Sequence, residues 1–217
     1  MFCLNYIFAY RAQIYITSAL SAIAFSSMLW MNILNARLFF GIRAGPRVYA
    51  GASLGIVGIL VVFGPMIAEV SYSEGVLFGS IIAVTGALMA SFGNMASQAA
   101  QSEKLPVVQS NAWSMLYGAL FTATAAVLLG HQFTFEWSAS YVLSLLYLTV
   151  FGSVIAFGAY LTLLGRVGAH RAGYSTVMFP IVALILSMLF EGLLPTPSII
   201  GGFGLVLAGN LLVLRAR

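Results

Sequence analysis

Long stretches without a charged residue limit what this chain can fold into. Seven runs of at least 19 residues contain no Asp, Glu, Lys or Arg, and only 6% of the 217 residues are charged. An α-helix needs about 20 apolar residues to cross the hydrocarbon core of a bilayer, so each run is long enough to span it. With 61% hydrophobic residues, the chain has too little polar surface for a water-soluble globule. The sequence predicts an all-α integral membrane protein with seven full spans, at residues 12–36, 48–68, 75–102, 105–135, 137–165, 172–190 and 192–214.

Most of the basic residues fall on one side of these predicted spans. If the spans alternate across the bilayer, one side receives seven of the nine Lys and Arg residues, and the opposite side receives only Arg11. Cytoplasmic loops of membrane proteins carry an excess of Lys and Arg. We therefore expect a multi-pass protein of the inner or plasma membrane with its C-terminus in the cytoplasm. The seven residues on the predicted cytoplasmic side are Arg43, Arg47, Lys104, Arg166, Arg171, Arg215 and Arg217.

An internal repeat relates residues 38–62 to residues 189–213 at an offset of 151. Nine of 25 positions are identical, whereas composition alone predicts roughly two. The predicted spans cross the membrane five times between Pro46 and its equivalent Pro197. An odd number of crossings inverts one copy relative to the other, and inverted repeats are typical of alternating-access transporters. The identical pairs are Leu38/Leu189, Phe39/Phe190, Gly41/Gly192, Pro46/Pro197, Gly51/Gly202, Leu54/Leu205, Gly58/Gly209, Leu60/Leu211 and Val62/Val213.

The repeat also predicts how the chain is divided. Residues 1–68 correspond to the C-terminal part of a first repeat, and residues 75–217 form the second. Residues 1–11 are apolar but too short to cross, so they are expected to form a short N-terminal helix. Aligning the two copies predicts an N-terminally truncated ten-helix protein with five helices per repeat. The first two helices and part of the third are then missing.

Small residues recur at four-residue spacing along several predicted helices. This spacing allows close approach of helices in membranes. A phosphate-binding loop would instead need a preceding strand and a Lys-Ser/Thr pair, which are absent here. We expect helix-packing surfaces at Gly51/Gly55, Gly79/Ala83/Ala87 and Gly204/Ala208, with Gly58 and Gly209 nearby.

Polar and aromatic side chains within the predicted spans are the candidate site residues. A polar group facing lipid leaves its hydrogen bonds unmade, so these groups are expected to face the interior. They either bind a solute or join helices to one another, and the sequence leaves both interpretations open. Pro180 predicts a kink that serves either as a hinge or for packing alone. The predicted substrate cavity comprises Asn5, Tyr6, Trp30, Asn32, Asn94, Trp113, Tyr117, Tyr160, Tyr174 and Ser175.

Residues typical of catalysis or of metal binding are scarce. The chain has no Asp and a single cysteine, Cys3. His131 and Glu136 do not have the spacing of a catalytic triad or of metal ligands. We therefore predict no catalytic residue, no metal and no cofactor, and an intramembrane enzyme is the least favoured alternative. The cations form no continuous basic stripe, which argues against nucleic-acid binding.

Several motifs resemble the EamA-like branch of the drug/metabolite transporter superfamily. They are Ile16–Leu20, the Gly41 and Pro46 pair followed by Gly51, Gly55 and Gly58, Phe151–Phe157, Arg166–Ala172 with Pro180, and Phe190–Gly192 followed by Thr196, Pro197, Gly209 and Asn210. The chain departs from the family pattern where Phe40 and Ile42 replace the acidic residue often found beside Gly41. The resemblance implies two inverted five-helix repeats with cytoplasmic termini. It also implies a cavity lined by the first four helices of each repeat, with the fifth helix peripheral.

The resemblance and the repeat together predict a carrier or exporter of small metabolites. Its expected partners are the lipid bilayer and a small-molecule substrate, and a homodimer is left open. The alternative is a non-transporting membrane remnant that associates with other membrane proteins.

Overall fold

Helices form nearly all of the structure, a computed structural model that describes residues 2–68, 74–175 and 196–214, and positions 182, 185, 188 and 189. No β-strand occurs in these ranges. The helices are α1 (Leu4–Ala12), α2 (Ser18–Ser26), α3 (Met28–Phe40), α4 (Pro46–Ala68), α5 (Glu74–Ser102), α6 (Val107–Leu128), α7 (Ala139–Tyr147), a π-helix (Leu148–Ile155), α8 (Ala156–Val167), α9 (Ala169–Ala172) and α10 (Pro197–Leu214).

Four helical stretches of the described chain are long and apolar enough to cross a membrane. They are Ile23–Phe40, Pro46–Pro65, Glu74–Ser102 and Ala139–Val167, and Pro197–Val213 forms a shorter apolar helix. The prediction of an all-α membrane protein is confirmed for the described residues. Seven spans and an inverted arrangement remain predictions. Most of the predicted span 172–190, including Pro180, lies outside the described residues.

The predicted bounds of the first span, 12–36, are wrong. Ala12 belongs to α1, and the next helix begins at Ser18, where the Thr17 side chain accepts a hydrogen bond from the Leu20 N–H (3.4 Å). A break at Ser27 separates α2 from α3, because the Ser27 hydroxyl donates to the Ala24 carbonyl oxygen (2.5 Å). A side chain that bonds back to the preceding turn bends a helix. Hydropathy does not detect either signal, since both are hydrogen bonds of single polar residues.

Gly41 ends α3 in a left-handed conformation, with φ of 67°. Only glycine adopts this conformation without strain. The Gly41 N–H donates to the Arg37 carbonyl (3.0 Å), and the Ile42 N–H donates to the Ala36 carbonyl (3.2 Å). The sequence motif Gly41 followed by Pro46 therefore marks the end of one helix and the first residue of the next.

Helices α4 and α10 form the most extensive helix pair among the described elements. They run antiparallel and meet backbone to backbone at two points. A Cβ atom added to Gly51 would lie 2.7 Å from the Gly209 carbonyl oxygen, and one added to Gly58 would lie 2.7 Å from the Gly202 carbonyl oxygen. The predicted packing role of Gly51, Gly58 and Gly209 is confirmed.

The predicted packing role of Gly204 and Ala208 is wrong. Both are exposed, and a Cβ on Gly204 would meet no atom within 4 Å. The face of α10 that contacts α4 instead carries Gly202, Val206 and Gly209. The contacting residues Gly202 and Val206 have the predicted four-residue spacing, but each lies two positions before its predicted counterpart, Gly204 or Ala208.

Helix α5 lies at the centre of the described bundle, in contact with α1, α2, α3 and α8. Its small residues Gly79, Ala83 and Ala87 are buried, as predicted. A Cβ on Gly79 would lie 3.3 Å from the Ala12 carbonyl oxygen, so α1 approaches the α5 backbone closely there. By contrast, the most apolar part of the helical stretch Ala139–Val167 has no residue buried inside the described structure. An outward-facing apolar surface of this kind is stable against lipid hydrocarbon and unstable in water.

Candidate functional site

Two asparagines on neighbouring helices form the buried polar centre of the described bundle. Asn32 of α3 and Asn94 of α5 have 0% and 1% of their surfaces exposed. The Asn94 side-chain amide donates to the Asn32 Oδ1 (3.2 Å) and lies 3.9 Å from the Met28 sulfur. Amides at this depth have no water to bond, so they turn towards each other.

Tyr160 of α8 brings a third polar group to this pair. Its hydroxyl is buried and interacts with the side-chain amides of both Asn94 and Asn32. The Asn32 Nδ2 and the Asn94 Oδ1, the amide atoms outside the 3.2 Å bond between the two asparagines, are buried as well. We call Asn32, Asn94 and Tyr160 the asparagine cluster. All three were predicted cavity residues, and the structure brings them together.

The asparagine cluster lies where water does not reach it. A buried donor or acceptor without a partner costs about 1–3 kcal/mol, so the two amides and the hydroxyl are more stable facing one another than facing apolar side chains. The cluster is thus a polar contact that joins α3, α5 and α8.

A second polar contact lies one turn along the same two helices. The Asn35 amide donates to the Ser91 hydroxyl oxygen (2.9 Å), and both residues are buried. Neither was among the predicted site residues. A signal was present, because Asn35 follows Asn32 by three positions and Ser91 precedes Asn94 by three, which places each pair on one face of its helix.

This polar face of α5 continues towards its C-terminal end. The Gln98 Oε1 accepts a hydrogen bond from the Ala169 N–H at the start of α9 (2.7 Å). The Gln101 side-chain amide donates to the Leu161 carbonyl of α8 (2.9 Å), and it occupies the space where a Cβ on Gly165 would lie. Ser91, Asn94, Gln98 and Gln101 thus form a polar stripe that holds α5 against α3, α8 and α9.

Three predicted site residues lie outside the asparagine cluster: Asn5 and Tyr6 of α1, and Trp30 of α3. Tyr6 stacks on Tyr10 with 6.4 Å between ring centroids. Asn5 has a buried Oδ1 without a partner in the described structure. Trp30 is half-buried and its ring contacts Tyr49 at 5.7 Å. The sequence predicts that these residues lie at membrane depth, and in the structure they contact different neighbours.

The predicted residues after α5 divide into exposed and packed groups. Trp113 and Tyr117 stack on each other at 5.9 Å and are 58% and 54% exposed, on the outer face of α6. Tyr174 is buried and its hydroxyl donates to the Val48 carbonyl, which joins it to α4. The Ser175 hydroxyl donates to the Ala172 carbonyl (2.7 Å). Among the described residues, none of the four makes a hydrogen bond or ring contact with the asparagine cluster.

No charged side chain of the described residues reaches the cluster, because all their Asp, Glu, Lys and Arg residues are exposed. His170 lies in the short helix α9, after the candidate span Ala139–Val167. Burial and then the neighbouring Arg171 charge lower the pKa of His170. Both effects favour the neutral form of its imidazole. The buried centre of the described bundle is polar without being charged.

Comparison with known proteins identifies the family of this chain. A sequence model of the EamA-like transporter family matches residues 77–215, which include Asn94 and Tyr160. The chain belongs to the EamA-like transporter family. The described residues are those of a multi-pass membrane protein.

Relatives of the chain in the EamA-like family include bacterial proteins named as transporters. The uncharacterised transporter YoaV of Bacillus subtilis (strain 168) is 23% identical over 185 residues, which cover 84% of this chain and 61% of YoaV. The uncharacterised inner membrane transporter YedA of Escherichia coli (strain K12) is 27% identical over 172 residues, which cover 79% of this chain and 53% of YedA. The chain thus spans between half and two thirds of the length of these two relatives.

The EamA-like fold is also similar to that of a solved crystal structure. Their TM-score is 0.81 at 19% sequence identity, over 98% of this chain and 72% of that structure. At this identity the similarity concerns the fold alone.

Proposed function

We propose that the chain is part of an alternating-access carrier of small metabolites in the inner membrane. Residues 1–68 and 75–217 belong to two inverted repeats, with the C-terminus in the cytoplasm. The asparagine cluster is the centre of the solute site. The remaining predicted residues, Asn5, Tyr6, Trp30, Trp113, Tyr117, Tyr174 and Ser175, line the path to it, and Pro180 is its hinge.

The observation that carries this proposal is the reciprocal glycine contact between α4 and α10. At the repeat offset of 151, Gly51 is equivalent to Gly202 and Gly58 to Gly209. Gly51 meets Gly209, and Gly58 meets Gly202. Exchanging the two copies therefore maps the contact onto itself, as a two-fold axis does. Because the helices are antiparallel, two helices related in this way cross a membrane in opposite directions.

Inverted repeats supply the energetics that a carrier needs. Each copy can adopt the conformation of the other, so inward-open and outward-open states have nearly equal energy around a central site. The α4–α10 pair, tightly packed through backbone contacts, is suited to remain fixed while the other helices move. The uncharged cluster favours a neutral or zwitterionic solute, because no described residue could compensate a buried net charge.

Cysteine labelling tests the inversion. In a Cys3→Ala background, we expect Arg43→Cys to react with a membrane-impermeant maleimide from the cytoplasmic side and Thr196→Cys to react from the opposite side. Both positions are exposed: Arg43 lies three residues before the start of α4, and Thr196 immediately precedes α10. Gln132→Cys, in the exposed loop after α6, serves as a control expected on the side opposite to Arg43. Labelling of Arg43→Cys and Thr196→Cys from one common side would exclude inverted repeats.

Solute flux tests the carrier itself. We expect proteoliposomes containing the chain to exchange at least one radiolabelled neutral or zwitterionic solute from a panel of α-amino acids, nicotinamide and uracil. Exchange should fall at least tenfold for Asn94→Leu, which removes the central amide, and should be unchanged for Gly64→Ala, because a Cβ at Gly64 meets no atom within 4 Å. A folded chain that exchanges no member of the panel would instead favour the non-transporting remnant.

A further inference from the structure

The C-terminal ends of α3, α5 and α8 meet at one end of the described bundle. Ala36 of α3, Leu164 of α8 and Ala169 of α9 are buried in one apolar cluster. Ile42, in the loop after α3, packs against the same cluster. Helix α5 joins them there, because the Ala169 N–H donates to the Gln98 Oε1 (2.7 Å). Segments that are distant in sequence therefore come together at this end.

Exposed arginines accompany this apolar cluster. Each of four arginines lies one or two positions along the chain from a residue of the cluster or from Ile42, and all four are exposed. The described part of the chain has three acidic residues, of which only Glu103 lies at this end, next to Lys104. The local charge is therefore positive. We call the four residues the arginine group: Arg37, Arg43, Arg166 and Arg171.

The arginine group lies where two candidate spans end. The span Ile23–Phe40 ends three residues before Arg43, and the span Ala139–Val167 ends one residue after Arg166. Long basic side chains at the ends of a span place their charges in the headgroup layer, while their apolar stems stay beside the hydrocarbon. Leu38, in the last turn of α3, is 75% exposed. A ligand at this end thus meets cations and an apolar surface together.

We propose that the arginine group binds the headgroup phosphate of an anionic phospholipid, such as phosphatidylglycerol. The acyl chains of the lipid lie against the exposed apolar side chains at the ends of α3 and α8. The bias of basic residues towards cytoplasmic loops accounts for their side of the membrane, but not for arginines of separate segments gathered beside one apolar contact. This site is distinct from the asparagine cluster and does not depend on which solute is carried.

Lipid titration of the purified chain in a neutral detergent tests the proposal, with native mass spectrometry to count the bound lipids. Phosphatidylglycerol is compared with phosphatidylcholine of the same acyl chains. We expect an apparent Kd at least about fivefold lower for phosphatidylglycerol, the effect of one basic residue near an anionic headgroup. The difference should shrink at high ionic strength, because salt screens exposed charges. Glycerophosphoglycerol, the same headgroup without acyl chains, should not displace the bound lipid at equal concentration.

Charge variants identify the residues that bind the lipid. Arg43→Gln combined with Arg171→Gln removes two exposed charges and should raise the Kd for phosphatidylglycerol at least about tenfold, without changing that for phosphatidylcholine. Arg43→Lys combined with Arg171→Lys keeps both charges and should bind phosphatidylglycerol like the parent. Arg11→Gln is the matched control. Arg11 is exposed in the last turn of α1, which contacts the first part of α5 near Gly79, away from the arginine group.

Three results would overturn the proposal. They are equal binding of phosphatidylglycerol and phosphatidylcholine, competition by glycerophosphoglycerol as strong as that of the intact lipid, and a Gln pair that binds like Arg11→Gln. A Lys pair that binds as weakly as the Gln pair would also contradict it, because charge would then not be what the site supplies. Circular dichroism confirms that each variant is folded. The carrier proposal is tested separately, by cysteine labelling and by solute exchange.

Discussion

Gly58→Ala lowers the free energy of unfolding by about 1–3 kcal/mol, the usual cost of overpacking a close contact. The added Cβ would lie 2.7 Å from the Gly202 carbonyl oxygen and 2.9 Å from the Val206 nitrogen. Both are backbone atoms, so the strain is relieved only if α4 and α10 separate. Unfolding by SDS titration in mixed micelles, followed by circular dichroism, measures the change.

Gly64→Ala is the matched control for Gly58→Ala because it lies on the same helix with nothing within 4 Å of its Cβ position. Alanine is the better helix former by about 1 kcal/mol, so this variant should be as stable as the parent or more so. Gly51→Ala should resemble Gly58→Ala, because its Cβ would lie 2.7 Å from the Gly209 carbonyl oxygen. If Gly58→Ala and Gly64→Ala unfold alike, the close packing of α4 on α10 is refuted.

Asn94→Asp destabilises the chain by at least about 3 kcal/mol at pH 8, because a buried carboxylate without a cation loses its hydration uncompensated. Asn94 is 1% exposed, and every charged residue of the described chain is at the surface. The effect depends on pH with a definite sign. Asp ionises in the unfolded chain near pH 4. Below that pH the side chain is neutral in both states and the loss disappears, so stability falls as the pH rises above about 4.

Gln132→Glu is the control for Asn94→Asp. It adds one acidic group at an exposed position in the loop after α6, where the carboxylate stays hydrated. Its stability should follow that of the parent chain between pH 4 and pH 8. An Asn94→Asp variant with the same pH profile as Gln132→Glu would mean that the asparagine cluster is open to water, against the burial described above.

The helices that the sequence predicted best are those bounded by charged residues. The run 75–102 corresponds to α5, Glu74–Ser102, and the run 137–165 corresponds to the helical stretch Ala139–Val167. The length of the apolar run and the charges at its ends are sufficient to predict these helices, because the thickness of the bilayer sets the length and charged residues are excluded from its interior. The break at Ser27 and the π-helix Leu148–Ile155 were missed. Both arise from local hydrogen bonding, to which hydropathy is insensitive.

The candidate site was predicted only in part, for a similar reason. Asn32, Asn94 and Tyr160 were chosen as polar residues at membrane depth, and the structure joins them. Trp113 and Tyr117 were chosen on the same grounds, yet they lie on the exposed face of α6. Residue type shows that a side chain needs a partner or a suitable surface. It does not show which face of the helix turns inward. For the same reason, Asn35 and Ser91 were not predicted as buried polar residues.

The sequence alone predicted a lipid environment, a helical fold, the internal sequence repeat and the packing glycines Gly51, Gly58 and Gly209, because each of these follows from composition or periodicity along one chain. Tertiary structure decided which glycines meet, Gly51 with Gly209 and Gly58 with Gly202. It also decided which polar side chains pair in the interior, Asn32 with Asn94 and Asn35 with Ser91. These are relations between helices distant in sequence. They depend on how the helices pack and rotate against one another, which no single helix specifies.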